Sequence, residues 1–163
     1  MYKVIGKTNT RAMRVLWAMH EIGLDFDHIK AAAKSAEAQK VNISGKVPTL
    51  IFNDTTITDS TAIITYLADK HAQLTYPAGT IQRAQQDSFT QFILDELDSI
   101  LWAAARHTFV LPKELRVSEL KDTLRWEFTK SLKILESRMN NGPNLMGERF
   151  TIQIGRASCR ERV

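Results

Sequence analysis

Two residue pairs in the stretch Gly45–Leu67, Val47–Pro48 and Asp59–Ser60, have types suited to holding a small peptide. Pro48 leads into an apolar, β-prone run, Thr49–Asn53, at a position where proline removes a ladder donor. A cis Val47–Pro48 bond would turn the Val47 amide and carbonyl outward, where an extended peptide could pair with them as an added strand. Asp59 and Ser60 stand where a helical pattern begins. A helix N-terminus favours anions, and the Asp59 carboxylate could also hold an ammonium group. One end of a small peptide would meet Val47, and its amino-acid end would meet Asp59–Ser60. The same residues also suit a strand that simply opens with proline and a helix that is simply capped, and spacing alone does not separate these readings.

Those residues need elements to carry them. Asn53–Asp54 separates the first run from the β-branched Thr55–Thr58, so the pair reads as a hairpin. Ser60 suits the N-cap of Thr61–Ala72, where Ile63, Ile64 and Leu67 recur at helical spacing. Upstream, Tyr2–Gly6 alternates as a strand and Lys7–Thr10 is polar and turn-like. Arg11–Gly23 is predicted as a helix with Ala12, Val15, Leu16 and Met19 on one face, Arg11, Arg14 and Glu21 off it, and Gly23 closing it. Asp25–Lys30 reads as a strand carrying Phe26 and Ile29, and Ala31–Val41 as a short, exposed, mobile helix. The order β-α-β-α-β-β-α fits an α/β thioredoxin-like domain over residues 1–73.

Residues 74–80, with Tyr76-Pro77-Ala78-Gly79, read as a linker, and beyond them the β signals stop. Ile81–His107 is predicted as a long helix with Ala84, Phe89, Phe92, Leu97, Ile100, Leu101 and Ala104 near one face. Val117–Met139 is predicted as another, carrying Leu120, Leu124, Phe128, Leu132, Leu135 and Met139. Leu111–Pro112 breaks the two, and Asn141-Gly142-Pro143 ends the second. Two amphipathic helices present apolar stripes that need further helices to cover them. Residues 81–152 are therefore expected to form an all-α but incomplete domain.

At 163 residues, 44% hydrophobic and 25% charged, the chain has the composition of a soluble globular protein. No apolar run reaches membrane-spanning length and no signal-peptide pattern opens it, so a cytoplasmic protein with no membrane partner is expected. Residues 153–163, QIGRASCRERV, break the apolar pattern and resemble the in-frame translation of a sequencing adapter. Setting aside that tail, with three arginines against Glu161, lowers the formal charge from +4 to +2 and leaves little support for a nucleic-acid partner. The tail also holds the sole cysteine, Cys159, so a disulfide framework, a cysteine zinc site and a thiol nucleophile are not expected. His20, His28 and His71 show no metal-ligand spacing, and there is no P-loop, GxGxxG or H-E-x-x-H, so no metal is expected. Trp17 reads as packing, and the sequon Asn42-Ile43-Ser44 as a chance match.

GKVPTL followed by DSTAIITYLADK resembles the glutathione-binding half of the cytosolic glutathione transferase family. In that family a G-(K/Q)-V-P loop precedes an acidic-Ser pair opening a helix that continues A-I-x-x-Y-L. The likeness runs back through TNTRAMRVLWAMHEIGL and forward to GERFTI, covering nearly all of residues 1–152. It implies glutathione as cosubstrate, conjugation of its thiolate to small hydrophobic electrophiles, and a homodimer for the intact protein. A non-catalytic binding or assembly domain of the same fold, and glutathione-dependent reduction of a peroxide or disulfide, are the alternatives.

By the same resemblance, Val47, presented by Pro48, would pair its backbone with the cysteinyl part of glutathione, and Asp59 and Ser60 would hold the γ-glutamyl end. Lys46 and Lys34 would meet the glycyl carboxylate, although Lys34 also reads as solvated surface. A transferase of this kind lowers the thiol pKa with a donor from the loop after the first strand, often Ser, Tyr or Cys, beside the first helix N-terminus. Here that loop is Lys7-Thr8-Asn9-Thr10, with Lys7 at or next to the place where relatives commonly carry Ser. Thr8 is the first candidate donor and Thr10 and Asn9 follow; any of them could instead cap the helix, and Lys7 could favour the thiolate as a cation. Trp102, Arg106 and His107 are candidates for the wall of an electrophile pocket between the domains, with Trp102 also reading as core and Arg106 as solvated. GERFTI would lead into a buried helix capped at Thr151, its capping box cut at Ile154.

Overall fold

The structure, a computed structural model, describes residues 1–139 and 143–152. The predicted helix end at Asn141–Gly142, the box position Ile154, and the tail 153–163 with Cys159 lie outside the described residues. The chain divides into two compact units, Met1–Thr80 and a second that begins at Ile81.

The first unit is a four-stranded sheet with helices, in the thioredoxin-like order. Strands β1 (Tyr2–Ile5), β2 (Phe26–Ile29), β3 (Thr49–Phe52) and β4 (Thr55–Thr58) lie in the order β2-β1-β3-β4. β1 and β2 run parallel, because a helix joins them; β3 is antiparallel to β1 and to β4. Asn53 and Asp54 both take positive φ, 46° and 63°, as a two-residue hairpin whose twist matches its strands requires.

Helix α1 (Ala12–Ile22) buries Ala12, Val15, Leu16, Met19 and Ile22. It ends at Gly23, whose left-handed φ of 77° lets its N–H reach the His20 carbonyl while Leu24 N–H reaches Met19. Arg14 is buried rather than off the apolar face. With Ala18 also buried, the covered arc of α1 is wider than one amphipathic stripe. Helix α2 (Ala36–Val41) is shorter than predicted, because Ser35 accepts the Ala38 N–H and starts it late. Helix α3 (Ser60–His71) buries Ile63, Ile64 and Leu67.

An aromatic and cationic knot ties the end of α3 to the sheet. Tyr2 stacks on Phe52 at 4.5 Å and its hydroxyl meets His71 Nε2 at 3.0 Å. Lys70 Nζ sits 3.9 Å from the Phe52 ring centroid and donates to the Tyr66 hydroxyl at 3.0 Å.

The second unit is helical. The long predicted helix exists but runs further, through α4 (Ile81–Ile93), a π-helical segment Leu94–Asp98, α5 (Ser99–Ala105) and a second π segment Arg106–Val110. Leu111 and Pro112 are extended (ψ 154° and 144°) and end it, as proline demands. Helix α6 (Leu120–Arg138) starts three residues later than predicted. Ile93, Leu97, Leu135 and Leu145 form the core, with Phe89, Phe92 and Phe128 packed on it. Arg138 caps that core, its guanidinium 4.6 and 4.9 Å from the Phe89 and Phe92 ring centroids. Across the helices, Ser131 donates to Glu96 at 3.0 Å. Ala84 is exposed rather than on the buried face, and Trp102 is 39% exposed rather than core. Leu132 and Met139 also remain open, so only part of the predicted α6 stripe is covered. Among the described residues no helix is long and apolar enough to cross a membrane.

The Tyr66 hydroxyl holds the Lys70 ammonium above its ordinary value of 10.5. A raised folded pKa contributes stability that is complete below that value and is lost as pH rises through the folded one. Urea melts on either side of about pH 10.5 should show the parent losing more stability with pH than Lys70→Met. Identical pH slopes would exclude the contribution.

Candidate functional site

One row of paired residues crosses the whole sheet: Ile29 with Ile5, Ile5 with Thr49, and Thr49 with Thr58. β1 leaves this row into Gly6 and the Lys7–Thr10 loop. β3 enters it from Val47–Pro48, and β4 leaves it into Asp59. The sheet register therefore brings three of the predicted groups, far apart in sequence, to one edge.

The Val47–Pro48 peptide is cis. Pro48 is buried and Val47 half-buried, and among the described residues neither the Val47 amide nor its carbonyl makes a hydrogen bond. The loop before it is stitched by Asn42. Its Oδ1 accepts from the Ser44 amide (3.1 Å) and hydroxyl (2.8 Å), and its Nδ2 donates to the Lys46 carbonyl at 2.9 Å. Asn42 and Ser44 were missed as site-shaping residues, although an Asn two positions before a Ser is an Asx-turn signal. Gly45 takes φ 63° and its carbonyl accepts the Lys34 N–H at 2.7 Å, so the backbones of Lys34 and Lys46 belong to one stitched loop. Both lysines are exposed.

Asp59, not Ser60, caps α3. Its Oδ1 accepts the amides of Thr61 (2.8 Å) and Ala62 (3.1 Å), and Ser60 is the first helical residue, 2% exposed. The carboxylate reaches these amides because Asp59 holds φ 72°, a conformation rare outside glycine. The carboxylate itself stays at the surface.

In the Lys7–Thr10 loop, the Thr10 hydroxyl is already engaged. It donates to the Lys7 carbonyl (2.7 Å) and accepts the Ala12 amide (3.2 Å), which is a capping role. Thr8 and Asn9 are exposed and make no hydrogen bond among the described residues. Gly6 (φ 145°) is the tightest point. A Cβ there would stand 2.7 Å from Ala12 Cβ and 3.1 Å from Val47 Cβ, so the loop, α1 and the Val47 segment meet at this residue.

The three remaining candidates lie in the second unit. Trp102 is on α5, Arg106 opens the second π segment and is exposed, and His107 Nδ1 accepts the Val117 amide at 3.1 Å. A shallow depression of about 480 Å³ is lined by Ser88, Gln91, Phe92, Leu94, Asp95, Glu96 and Arg138, and so contains none of the predicted site residues.

A family model described as "Glutathione S-transferase, N-terminal domain" matches residues 10–70. Glutathione S-transferase 1 of Schizosaccharomyces pombe is 30% identical over 149 residues, spanning 85% of this chain and 65% of the relative. The chain is similar in sequence to glutathione S-transferases. Glutathione S-transferase GstA of Escherichia coli O157:H7 is 30% identical over 115 residues, 69% of this chain and 54% of the relative. The chain thus spans less than two thirds of either relative's length. Its fold is that of the Phanerochaete chrysosporium glutathione transferase URE2P6, solved with oxidized glutathione (TM-score 0.81, 24% identity, covering 95% of this chain and 75% of that one). The theta class transferase of Xanthomonas axonopodis pv. citri, solved with glutathione bound, shares it at a TM-score of 0.77 and 21% identity, over 96% and 78% of the two chains.

Two substitutions test this geometry by urea unfolding. Asp59→Ala should cost about 1 kcal/mol through the lost cap while Asp59→Asn, which keeps an acceptor, stays within about 0.5 kcal/mol. Gly6→Ala should cost at least about 2 kcal/mol, since it combines backbone strain with overpacking; a neutral result would show that Gly6 is not crowded.

Proposed function

We propose that this chain is a glutathione transferase in which Val47, Asp59 and the Lys7–Thr10 loop hold glutathione and favour its thiolate for attack on a small hydrophobic electrophile. The observation that carries this reading is the row from Ile29 to Thr58, which sets an unpaired Val47 backbone and a surface carboxylate at one sheet edge. Val47 offers one donor and one acceptor to the cysteinyl part of an extended tripeptide. Asp59 presents negative charge to the γ-glutamyl ammonium, while the α3 N-terminus beside it with Ser60 suits the α-carboxylate. Lys46 and Lys34 offer point charges to the glycyl carboxylate.

The thiolate is the nucleophile, so its pKa must fall. The N-terminus of α1 and the Lys7 cation both favour the charged form, and Thr8 brings a hydroxyl not committed elsewhere. We extend the proposal to Trp102, Arg106 and His107 as part of the electrophile wall, and to a homodimer of the full-length protein. A second reading, a glutathione-binding module without catalysis, is favoured by one observation: the Thr10 hydroxyl is spent on Lys7 and Ala12.

Calorimetric titration with glutathione should show binding, weakened about tenfold in Asp59→Asn by loss of a charge-assisted bond. Equal affinity would remove Asp59 from the site. Thr8→Val should lower conjugation of a model aryl halide about tenfold, with affinity for glutathione within about twofold. Binding without conjugation of any electrophile would establish the second reading.

A further inference from the structure

We infer that His28, on β2, is a positioning residue that aims the Lys7 backbone amide at the thiol of bound glutathione. The inference rests on the transferase reading for its ligand, but its geometry is independent. His28 Nε2 lies 2.7 Å from the Gly6 carbonyl oxygen. A carbonyl only accepts, so the imidazole carries its proton on Nε2 and donates it. The Gly6 amide is tied to the same strand, donating to Ile29 at 2.9 Å. Both polar groups of Gly6 are therefore held by β2.

A trans peptide is planar, and its N–H points opposite to its C=O. With the Gly6 carbonyl held on the β2 side, the Lys7 N–H faces the other way. The order β2-β1-β3-β4 puts β3 on that side, and a Cβ on Gly6 would stand 3.1 Å from Val47 Cβ, so the Lys7 amide leaves β1 beside the Val47 segment. The Lys7 amide makes no hydrogen bond among the described residues, and neither does the Val47 backbone. Two unmade sets of backbone bonds thus face one gap. The next peptide is fixed as well, because the Lys7 carbonyl accepts both the Thr10 amide and the Thr10 hydroxyl. Lys7 is held on both flanks while its N–H stays open. A hydrogen bond to a peptide carbonyl also strengthens donation by that peptide's own N–H. This supplies a thiolate donor that does not depend on which side chain follows β1, and the loop here carries lysine where a hydroxyl is usual.

The test compares His28→Leu with His28→Gln, whose amide can replace the Nε2 donor. In the parent chain, His28→Leu should lower kcat for conjugation about fivefold, the size of one ordinary hydrogen bond, and raise the pKa of bound glutathione read from thiolate absorbance. Affinity for glutathione should stay within about twofold, and His28→Gln should recover most of the loss. A structural role alone would lower affinity and kcat together with no rescue by Gln, and would overturn the inference. So would an unchanged thiol titration in His28→Leu. The Lys7 amide resonance provides a readout free of activity. It should move in His28→Leu and remain near its parent position in His28→Gln, and no movement overturns the inference whether or not the chain proves catalytic. A parent chain that neither binds nor conjugates glutathione would sink the transferase reading while leaving the amide readout to decide the role of His28.

Discussion

The crowding at Gly6 is the constraint on which the first unit's site depends. Three segments converge there: the end of β1, the start of α1 and the residue before Pro48. With no Cβ, the backbone can turn out of the strand at φ 145° and let Ala12 and Val47 close in on either side. A side chain at this position would push α1 away from the Val47 segment. The helix N-terminus and the open Val47 backbone would then no longer border one space.

A second constraint is the tie between cap and charge at Asp59. The carboxylate uses one oxygen on two amides of α3 yet remains at the surface. The amides that would otherwise be orphaned orient the charge, so a side chain with little rotational freedom left can meet an ammonium at small entropic cost. The positive φ is the strain that makes this possible, offset by two cap bonds. The Asn42–Ser44 turn acts similarly on the other side of the site, fixing Lys46 through backbone bonds while its ammonium stays solvated.

The second unit has a different logic. Its long helix departs twice from the α-helical pattern, and each π segment shifts the side chains that follow around the axis. A strict 3.6-residue pattern traced from Ile81 therefore does not carry unchanged past the first π segment. The buried positions Leu97 and Leu135 were legible because each lies on its predicted apolar stripe, whereas buried Ile93 was not on the predicted face. Ala84 and Leu132, at the ends or edges of the stripes, were not legible as exposed.

The strands themselves, the hairpin turn and the Gly23 stop were all readable from residue types, since each rests on local sterics and hydrogen bonding that a few neighbouring residues settle. The cap was misread by one residue because Asp and Ser are both good N-caps, and only the buried environment of Ser60 assigns the role to Asp59. Composition and spacing by themselves determined the fold class and marked Val47–Pro48 and Asp59–Ser60 as a pair. The tertiary structure decided which hydroxyl of the Lys7–Thr10 loop is spent, how Arg14 is buried, and that His28 reaches the Gly6 carbonyl. The last of these depends on strand register between residues 22 positions apart, and a side chain's partner across a sheet leaves no periodic trace in its own segment.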